Sequence, residues 1–173
     1  MAVTGTGSST VDGFVDRLRR TADRISTLHA RVQAGAPWPL AERFGTEPEA
    51  EWGPMEVLAH CAEMLPFWLG EIERIEAGEP QPVPFGRVAG DRLRIGIIER
   101  DRTLPARELF DRIVVGADRY VRRLPDLGDS GLGRRGLHPR RGEMTVAGVL
   151  EYFVVGHLEE HEEQLITAIK TGR

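Results

Sequence analysis

Apolar residues recur every three or four positions along most of the chain, which is the spacing of one face of an α-helix. The first such stripe predicts a helix over about 11–34, with apolar positions at Val11, Phe14, Val15, Leu18, Ala22, Ile25, Leu28 and Val32. Ser9 and Asp12 have the spacing of a capping box at its start. Gly35 and Pro37 follow the last apolar position, so we expect the helix to end there.

The same pattern predicts three more helices. The second begins at Pro54 and continues to about Ala77, with a kink at Pro66. The third follows a Thr103 cap and ends before Pro125. The fourth follows a Thr145 cap, and its predicted buried stripe is Val146, Val149, Leu150, Phe153, Val154, His157, His161, Leu165 and Ile169.

The connections complete an all-α prediction. About 25 residues join the second and third helices, and they include the segment DRLRIGIIERDR, which fits a short helix. Residues 125–144 are rich in glycine and arginine and are predicted to be a loop. Clean alternation of apolar and polar residues is scarce, and no Asn-Gly or Asp-Gly pair has the surroundings of a hairpin turn. We therefore predict a four-helix bundle with a long crossover, which allows the second and third helices to run parallel.

Composition narrows the class of protein. A chain of 173 residues suits one domain, so we expect a flexible segment at 1–10 and a single helical bundle domain at 11–173. The net charge is −4 and the sequence has no block of basic residues, which argues against nucleic-acid binding. No apolar run reaches the ~20 residues of a membrane span, and the N-terminus does not resemble a signal peptide. The single cysteine, Cys61, fits a cytoplasmic protein.

Three histidines fall on apolar stripes and are the main candidates for chemistry. His157 and His161 are four residues apart, so they project from one side of the fourth helix. His60 lies on the inner stripe of the second helix. Buried imidazoles need partners for both ring nitrogens, and three that converge can hold a divalent metal with an open coordination position. The alternative is that they are packed core residues.

Other residues near this predicted site have weaker signals. His29 lies at the edge of the first stripe and can reach the height of His60, while Glu63 and Glu160 can orient an imidazole or stay solvated. The HLEEH segment matches H-x-x-E-H, but only twelve residues follow His161, too few for the downstream glutamate of inverzincin peptidases. The Glu-x-x-His pattern of ferritin-like bundles is also absent.

Two segments, WGPMEVLAHCAEM at 52–64 and HPRRGEMTVAGVLEYFVVGHLEEHEEQL at 138–165, resemble the DinB-like superfamily. Its members are four-helix-bundle metalloenzymes that include thiol-dependent transferases and maleylpyruvate isomerases. The resemblance covers about residues 11–170. It implies zinc, nickel or iron held by His60, His157 and His161, and a low-molecular-weight thiol such as mycothiol, bacillithiol or glutathione as cosubstrate.

The resulting functional prediction is a metal-dependent enzyme that either transfers a thiol to a small electrophilic substrate or hydrolyses that substrate. We also expect the protein to form a homodimer. In this prediction, arginines of the 125–144 segment can hold carboxylates of the thiol or substrate, unless they are simply solvated: Arg134, Arg135, Arg140 and Arg141. His138 can move a proton or lie on the loop surface, and Cys61 is a small core residue. The alternatives are a non-catalytic metal-binding protein and a helical interaction module.

Overall fold

Four long helical segments form the core, and the computed structural model describes residues 10–42 and 49–172. The helices of the first half are α1 (Val11–Thr27), α2 (His29–Gly35), a 3₁₀ turn (Glu49–Glu51) and α3 (Pro54–Ala77). The second half contains α4 (Arg92–Asp101), α5 (Ala106–Gly131), α6 (Val146–Val149), a π-helical segment (Leu150–Val155) and α7 (Gly156–Thr171). The strands are β1 (Val83–Pro84), β2 (Arg135–His138) and β3 (Gly142–Thr145).

Contacts along α3 and α5 confirm the predicted crossover. The hydroxyl of Tyr120 donates to the carbonyl of Leu65 at 2.8 Å, and Arg123 pairs with Glu73 further along both helices. Residue numbers at the contacts increase in the same direction along both helices, so α3 and α5 run parallel. The predicted short helix, α4, lies inside the connection between them. Helix α1 runs antiparallel to α5, because the backbone N–H of Val11 donates to Asp129 while His29 contacts Phe110.

The predicted stripes lie in the core, but several predicted helix ends are wrong. Thr10, rather than Ser9, caps α1 by accepting a hydrogen bond from the N–H of Gly13, and Ser9 and the rest of 1–9 lie outside the described residues. The first predicted helix is two helices that meet at Leu28. Helix α5 starts after Pro105 instead of Thr103 and continues past Pro125 to Gly131, with a break at Gly128, where φ is +64°.

The predicted 125–144 loop is the largest error, since β2 and β3 form an antiparallel hairpin there and β1 adds to β2 in parallel. Strand β2 buries Gly136 and His138 and exposes Arg135 and Leu137. Gly136 is required here because a Cβ atom would lie 2.5 Å from the ring of Phe85. The hairpin follows α5 and leads directly into α6, whose first turn is capped by Thr145 as predicted.

The described part of the chain contains no helix that is both long and apolar enough to cross a bilayer. The core is mostly aliphatic, as the low aromatic content predicts. Its polar members are few, and several of them lie where α3 faces α7. The functional candidates are found at that contact.

Candidate metal centre

Three imidazole rings meet between α3 and α7. Nε2 of His157 lies 3.1 Å from Nε2 of His60 and 3.0 Å from Nε2 of His161. A carboxylate oxygen of Glu49 joins them, and one ligand atom from each of the four residues lies within 4.8 Å of the others. The structure therefore brings together the three histidines that the sequence analysis selected, and it adds Glu49.

The helices explain why the rings converge. His157 and His161 are one turn apart on α7, so their side chains lie side by side. Helix α3 runs antiparallel to this helix, because His60 contacts His157 while Trp68 contacts Phe153. His60 and His161 are buried, at 2% and 4% exposed, whereas a quarter of the His157 side chain is open to solvent.

Hydrogen bonding among the rings alone does not satisfy this arrangement. A ring nitrogen carries either one hydrogen or one lone pair, so Nε2 of His157 can form one hydrogen bond but has two nitrogen neighbours. Two ligands bound to one divalent metal at about 2.0–2.1 Å lie about 3 Å apart, which agrees with the observed spacing. The donor set therefore fits a divalent cation shared by the three nitrogens.

The outer nitrogens of the rings have different partners. Nδ1 of His161 lies 2.8 Å from Oε1 of Gln164, and the Gln164 amide donates to the carbonyl of Glu49 at 2.6 Å. Nδ1 of His157 is 3.4 Å from the carboxylate of Glu160, a long contact. Within the described ranges, Nδ1 of His60 is buried and has no hydrogen-bond partner. Gln164 therefore orients the His161 ring more firmly than Glu160 orients the His157 ring.

Burial keeps these imidazoles neutral. Desolvation lowers the pKa of His157 to about 4, and the charge of Arg94 acts in the same direction. Desolvation and then the neighbouring His157 lower the pKa of His161 to about 4. The pKa of His60 is also well below its usual value, mainly because of burial. Neutral imidazoles keep the lone pairs that a metal requires.

A cavity of about 490 Å³ opens onto His60 and His157. One wall is aromatic, since Trp68 and Phe153 stack with ring centroids 4.2 Å apart and planes at 14°. The π-helical segment supplies Tyr152 and Phe153 to this cavity and ends at Val155, two residues before His157. Such π turns are frequent at functional sites because they change the direction of side chains within a helix.

The family model of the DinB superfamily matches residues 12–165. The chain belongs to the DinB superfamily. A solved structure, YfiT from Bacillus subtilis, described as "a probable metal-dependent hydrolase with an unusual four-helix bundle topology", shares this fold at a TM-score of 0.70. It is 13% identical, over 99% of this chain and 92% of that chain. None of the curated proteins compared with the chain matches it.

Other predicted residues of this DinB chain lie away from the histidine cluster. His29 contacts the edge of Phe110, with ring centroids 5.1 Å apart, and is outside the cluster. Glu63 pairs with Arg87 at 2.6 Å instead of orienting a histidine. Cys61 is buried, and burial raises the pKa of its thiol, which agrees with a core role.

The predicted arginine cluster is divided by the hairpin. Arg134 pairs with Glu79 and Arg135 pairs with Glu143, each at 2.8–2.9 Å, so neither faces the histidines. Arg140 and Arg141 instead line a second cavity together with His138. The 125–144 segment therefore contributes two of its four candidate arginines to a cavity.

Sequence reasoning missed three residues of the site. Glu49 belongs to a short turn without helical periodicity, and Arg94 reaches it from α4 to form an ion pair. Gln164 is a polar residue on the partly exposed side of α7. Only its spacing of three from His161 gave a signal, because residues three apart are neighbours on a helix.

Proposed function

We propose that this protein is a metal-dependent enzyme in which His60, His157 and His161 bind one divalent metal, either zinc, nickel or iron. The observation that supports this most strongly is that Nε2 of His157 lies 3.0–3.1 Å from Nε2 of both His60 and His161, which one ring hydrogen cannot satisfy. Imidazole nitrogen suits all three metals. The description of YfiT as a metal-dependent hydrolase with this fold supports the same assignment.

In this proposal Glu49 is a partner of Arg94 rather than a fourth ligand. The Arg94 guanidinium is nearly buried, forms an ion pair with Glu49 and donates to the carbonyl of Ala89 at 2.9 Å. A carboxylate held in this way is less available to a cation. Three protein ligands leave an open position facing the cavity, which is the arrangement of catalytic metal sites.

The proposed reaction is attack on a small electrophilic substrate by water or by a low-molecular-weight thiol such as mycothiol. A bound divalent metal supplies Lewis acidity and lowers the pKa of a coordinated water or thiol. None of the described residues that line the cavity is serine, threonine or cysteine, which favours a nucleophile brought in from solution.

Side chains of the cavity have separate proposed roles. Trp68 and Phe153 pack against the body of the substrate and reduce its contact with water. Among the acidic residues of the cavity, Glu151 is paired with Arg17 and Glu49 with Arg94. Glu160 pairs with no arginine of residues 10–42 and 49–172, and its carboxylate contacts His157. We assign to Glu160 the acceptance of the proton that the nucleophile releases.

Metal analysis tests the first part of the proposal. Untagged protein prepared without chelators is expected to carry about one equivalent of zinc, nickel or iron by mass spectrometry. The H157A/H161A variant should lose the metal, while H29A, which removes a histidine outside the cluster, should retain it. A wild-type protein that binds none of these ions, even after each is added, would refute the metal site and favour a helical interaction module.

Turnover tests the enzymatic part. The wild type is screened against ester, amide and epoxide electrophiles, with and without mycothiol, bacillithiol or glutathione. Product that depends on the metal and disappears in a folded H161A variant supports an enzyme. Dependence on a thiol separates thiol transfer from hydrolysis. A full metal content without turnover in any arm would favour the non-catalytic metal-binding protein.

We also propose that the protein is a cytoplasmic homodimer. The groove between α4 and α5 exposes Leu93 and Val115, and exposed apolar patches of this kind favour association. Light scattering after gel filtration should give the dimer mass, and L93E/V115E should give the monomer mass with unchanged metal content. A monomeric wild type would remove the dimer from the proposal.

A further inference from the structure

A second cavity of about 450 Å³ adjoins the histidine cavity and is strongly basic. Its lining residues are Arg87, Val88, Ala89, Gly90, His138, Arg140, Arg141 and Phe153. None of these described residues is acidic. Arg87, Val88, Ala89 and Phe153 also line the histidine cavity, so the two spaces share one wall. A ligand can therefore extend from the histidines into a pocket lined by three arginines.

Two of the three arginines are held in place by the surrounding structure. The guanidinium of Arg141 stacks on the ring of Tyr152, 3.4 Å from its centroid, and donates to the Tyr152 hydroxyl. The side chain of Arg87 is nine-tenths buried, lies 3.7 Å over the ring of Phe67, and pairs with Glu63. Stacked guanidinium groups lose less conformational entropy when they bind an anion than solvated ones do.

His138 joins the two sides of this basic cavity. Its Nδ1 accepts the backbone N–H of Arg140 at 3.2 Å, so Nε2 carries the hydrogen and donates to the carbonyl of Arg87 at 3.1 Å. The hairpin that carries Arg140 and Arg141 is thereby fixed against the segment that carries Arg87. Both segments line the same pocket.

An aromatic stack connects the basic cavity with the histidines. The ring of Phe153 contacts both Trp68 and His138, with centroid distances of 4.2 Å and 5.0 Å, and the planes of Phe153 and His138 are tilted by 30°. The centroids of Trp68 and His138 are 6.4 Å apart, so the three rings form one cluster. Because Phe153 lines both cavities, its ring is the surface along which a planar ligand would lie. A small planar molecule with an anionic group at one end matches this combination of walls.

We propose that the basic cavity binds the carboxylate of a small planar molecule, whose reacting end then lies at the histidine cluster. Arginine guanidinium groups bind carboxylates through two parallel hydrogen bonds. Arg140 and Arg141 have no acidic partner within the described residues, unlike Arg134 and Arg135 of the same segment. The position of the reacting end rests on the proposed function, whereas carboxylate binding does not require the metal.

Calorimetric titration of the full chain tests this inference with phenylacetate as the probe. Phenylacetamide, which has the same shape without the charge, is the matched control ligand. R140Q/R141Q removes two charges from the cavity, and R134Q/R135Q removes two charges from the same segment outside it. We expect saturable binding of phenylacetate, at least tenfold weaker binding in R140Q/R141Q, and unchanged affinity in R134Q/R135Q.

Four results of these titrations would overturn the inference. These are equal binding of phenylacetamide, equal weakening in both double variants, tighter binding of inorganic phosphate than of phenylacetate, or no saturable binding. Loss of phenylacetate binding in H157A/H161A but not in R140Q/R141Q would place the carboxylate at the histidines instead. Retained phenylacetate binding in H157A/H161A separates this result from any failure of the metal proposal.

A further arm identifies which molecule carries the carboxylate. Bacillithiol, a thiol that carries carboxylates, and 3-mercaptopropionate are titrated beside phenylacetate into the wild type and R140Q/R141Q. If 3-mercaptopropionate binds more tightly than phenylacetate and loses affinity in R140Q/R141Q, the carboxylate belongs to the thiol and the inference of a planar ligand is wrong. If it belongs to the electrophilic substrate, phenylacetate binds more tightly and bacillithiol binds both proteins equally. If neither carboxylate depends on Arg140 and Arg141, the inference is wrong.

Discussion

Nδ1 of His161 lies 2.8 Å from Oε1 of Gln164, whose amide N–H group donates to the carbonyl of Glu49 at 2.6 Å. The second bond fixes the orientation of the amide, so its oxygen must face the ring. His161 therefore carries its hydrogen on Nδ1 and directs the lone pair of Nε2 toward His157. A residue that no metal-binding motif contains thus selects the tautomer that a metal requires.

Replacing Gln164 with methionine should weaken metal binding about 10- to 100-fold, the usual effect of losing a partner that orients a ligand histidine. Methionine keeps the length of the side chain and removes both hydrogen bonds. The measurement is competition for zinc with a chromophoric chelator. E163Q changes the exposed neighbour on α7 and serves as the control. Wild-type affinity in Q164M would show that the His161 orientation is set by packing alone.

Gly156 is predicted to be intolerant of substitution because of the π-helical segment. Its N–H donates to the carbonyl of Glu151, and a Cβ atom at Gly156 would lie 2.5 Å from that oxygen. G156A must therefore shift the turn that precedes His157. We expect a loss of stability of about 1–3 kcal/mol, as for an overpacked site, together with weaker metal binding.

The control for Gly156 is the same substitution at Gly70 of α3. A Cβ atom at Gly70 meets nothing within 4 Å. Because alanine is the better helix former, G70A should stabilise the protein by about 0.5–1 kcal/mol. Denaturant unfolding of the two variants with the metal removed measures both effects. A G156A variant as stable as G70A would contradict the role assigned to the π turn.

Much of the bundle could be predicted because burial follows the helical periodicity of the apolar residues. Pro125 misled the prediction because the cost of a proline inside a helix, about 3 kcal/mol, is offset here by packing. The neighbouring Leu124 and Leu127 are buried, and Asp129 accepts the N–H of Val11, so packing continues the helix beyond the proline. Tertiary contacts of this kind are not visible in a local pattern.

The hairpin was missed because its apolar residue is exposed, whereas a glycine and a histidine are buried. Strand β2 buries Gly136 and His138, while Leu137 is 45% exposed. Strand alternation is recognised from apolar residues on the buried side, and this strand has none there. Glu49 was missed for a related reason. It lies beside the histidines because of the path of the chain before α3 and its ion pair with Arg94, and neither feature leaves a periodic pattern in the sequence.

The buried ion pair between Glu63 and Arg87 should be a large determinant of stability. The two side chains are 4% and 10% exposed, so R87M leaves a buried carboxylate without its cation. Loss of one partner of a buried pair costs about 3–5 kcal/mol. The double variant E63Q/R87M removes both charges and should recover most of the loss. Denaturant unfolding at neutral pH compares the three proteins, and equal stability of R87M and wild type would contradict this role.

The R87M deficit should also depend on pH. Burial already raises the pKa of Glu63, and Arg87, Arg94 and Asp91 are the charged groups that act on it. Removing Arg87 raises this pKa further, so the folded variant takes up a proton at a higher pH than the unfolded chain does. The destabilisation is therefore greatest above the raised pKa and shrinks as the pH falls through it. An R87M deficit that grows in acid would contradict this assignment.

Cys61 adjoins His60 in sequence and is the single thiol of the chain, so its part in the reaction can be tested directly. The side chain is buried, and burial, reinforced by the charge of Glu49, raises its pKa above the ordinary value. A thiol of this kind is protonated and shielded, so it cannot act as the nucleophile.

In the native protein an aromatic disulfide reagent should release no chromophore over an hour, and in guanidinium it should titrate one thiol. C61A should keep the metal and any turnover. Rapid labelling of the native protein, or loss of turnover with retained metal in C61A, would instead make Cys61 part of the reaction.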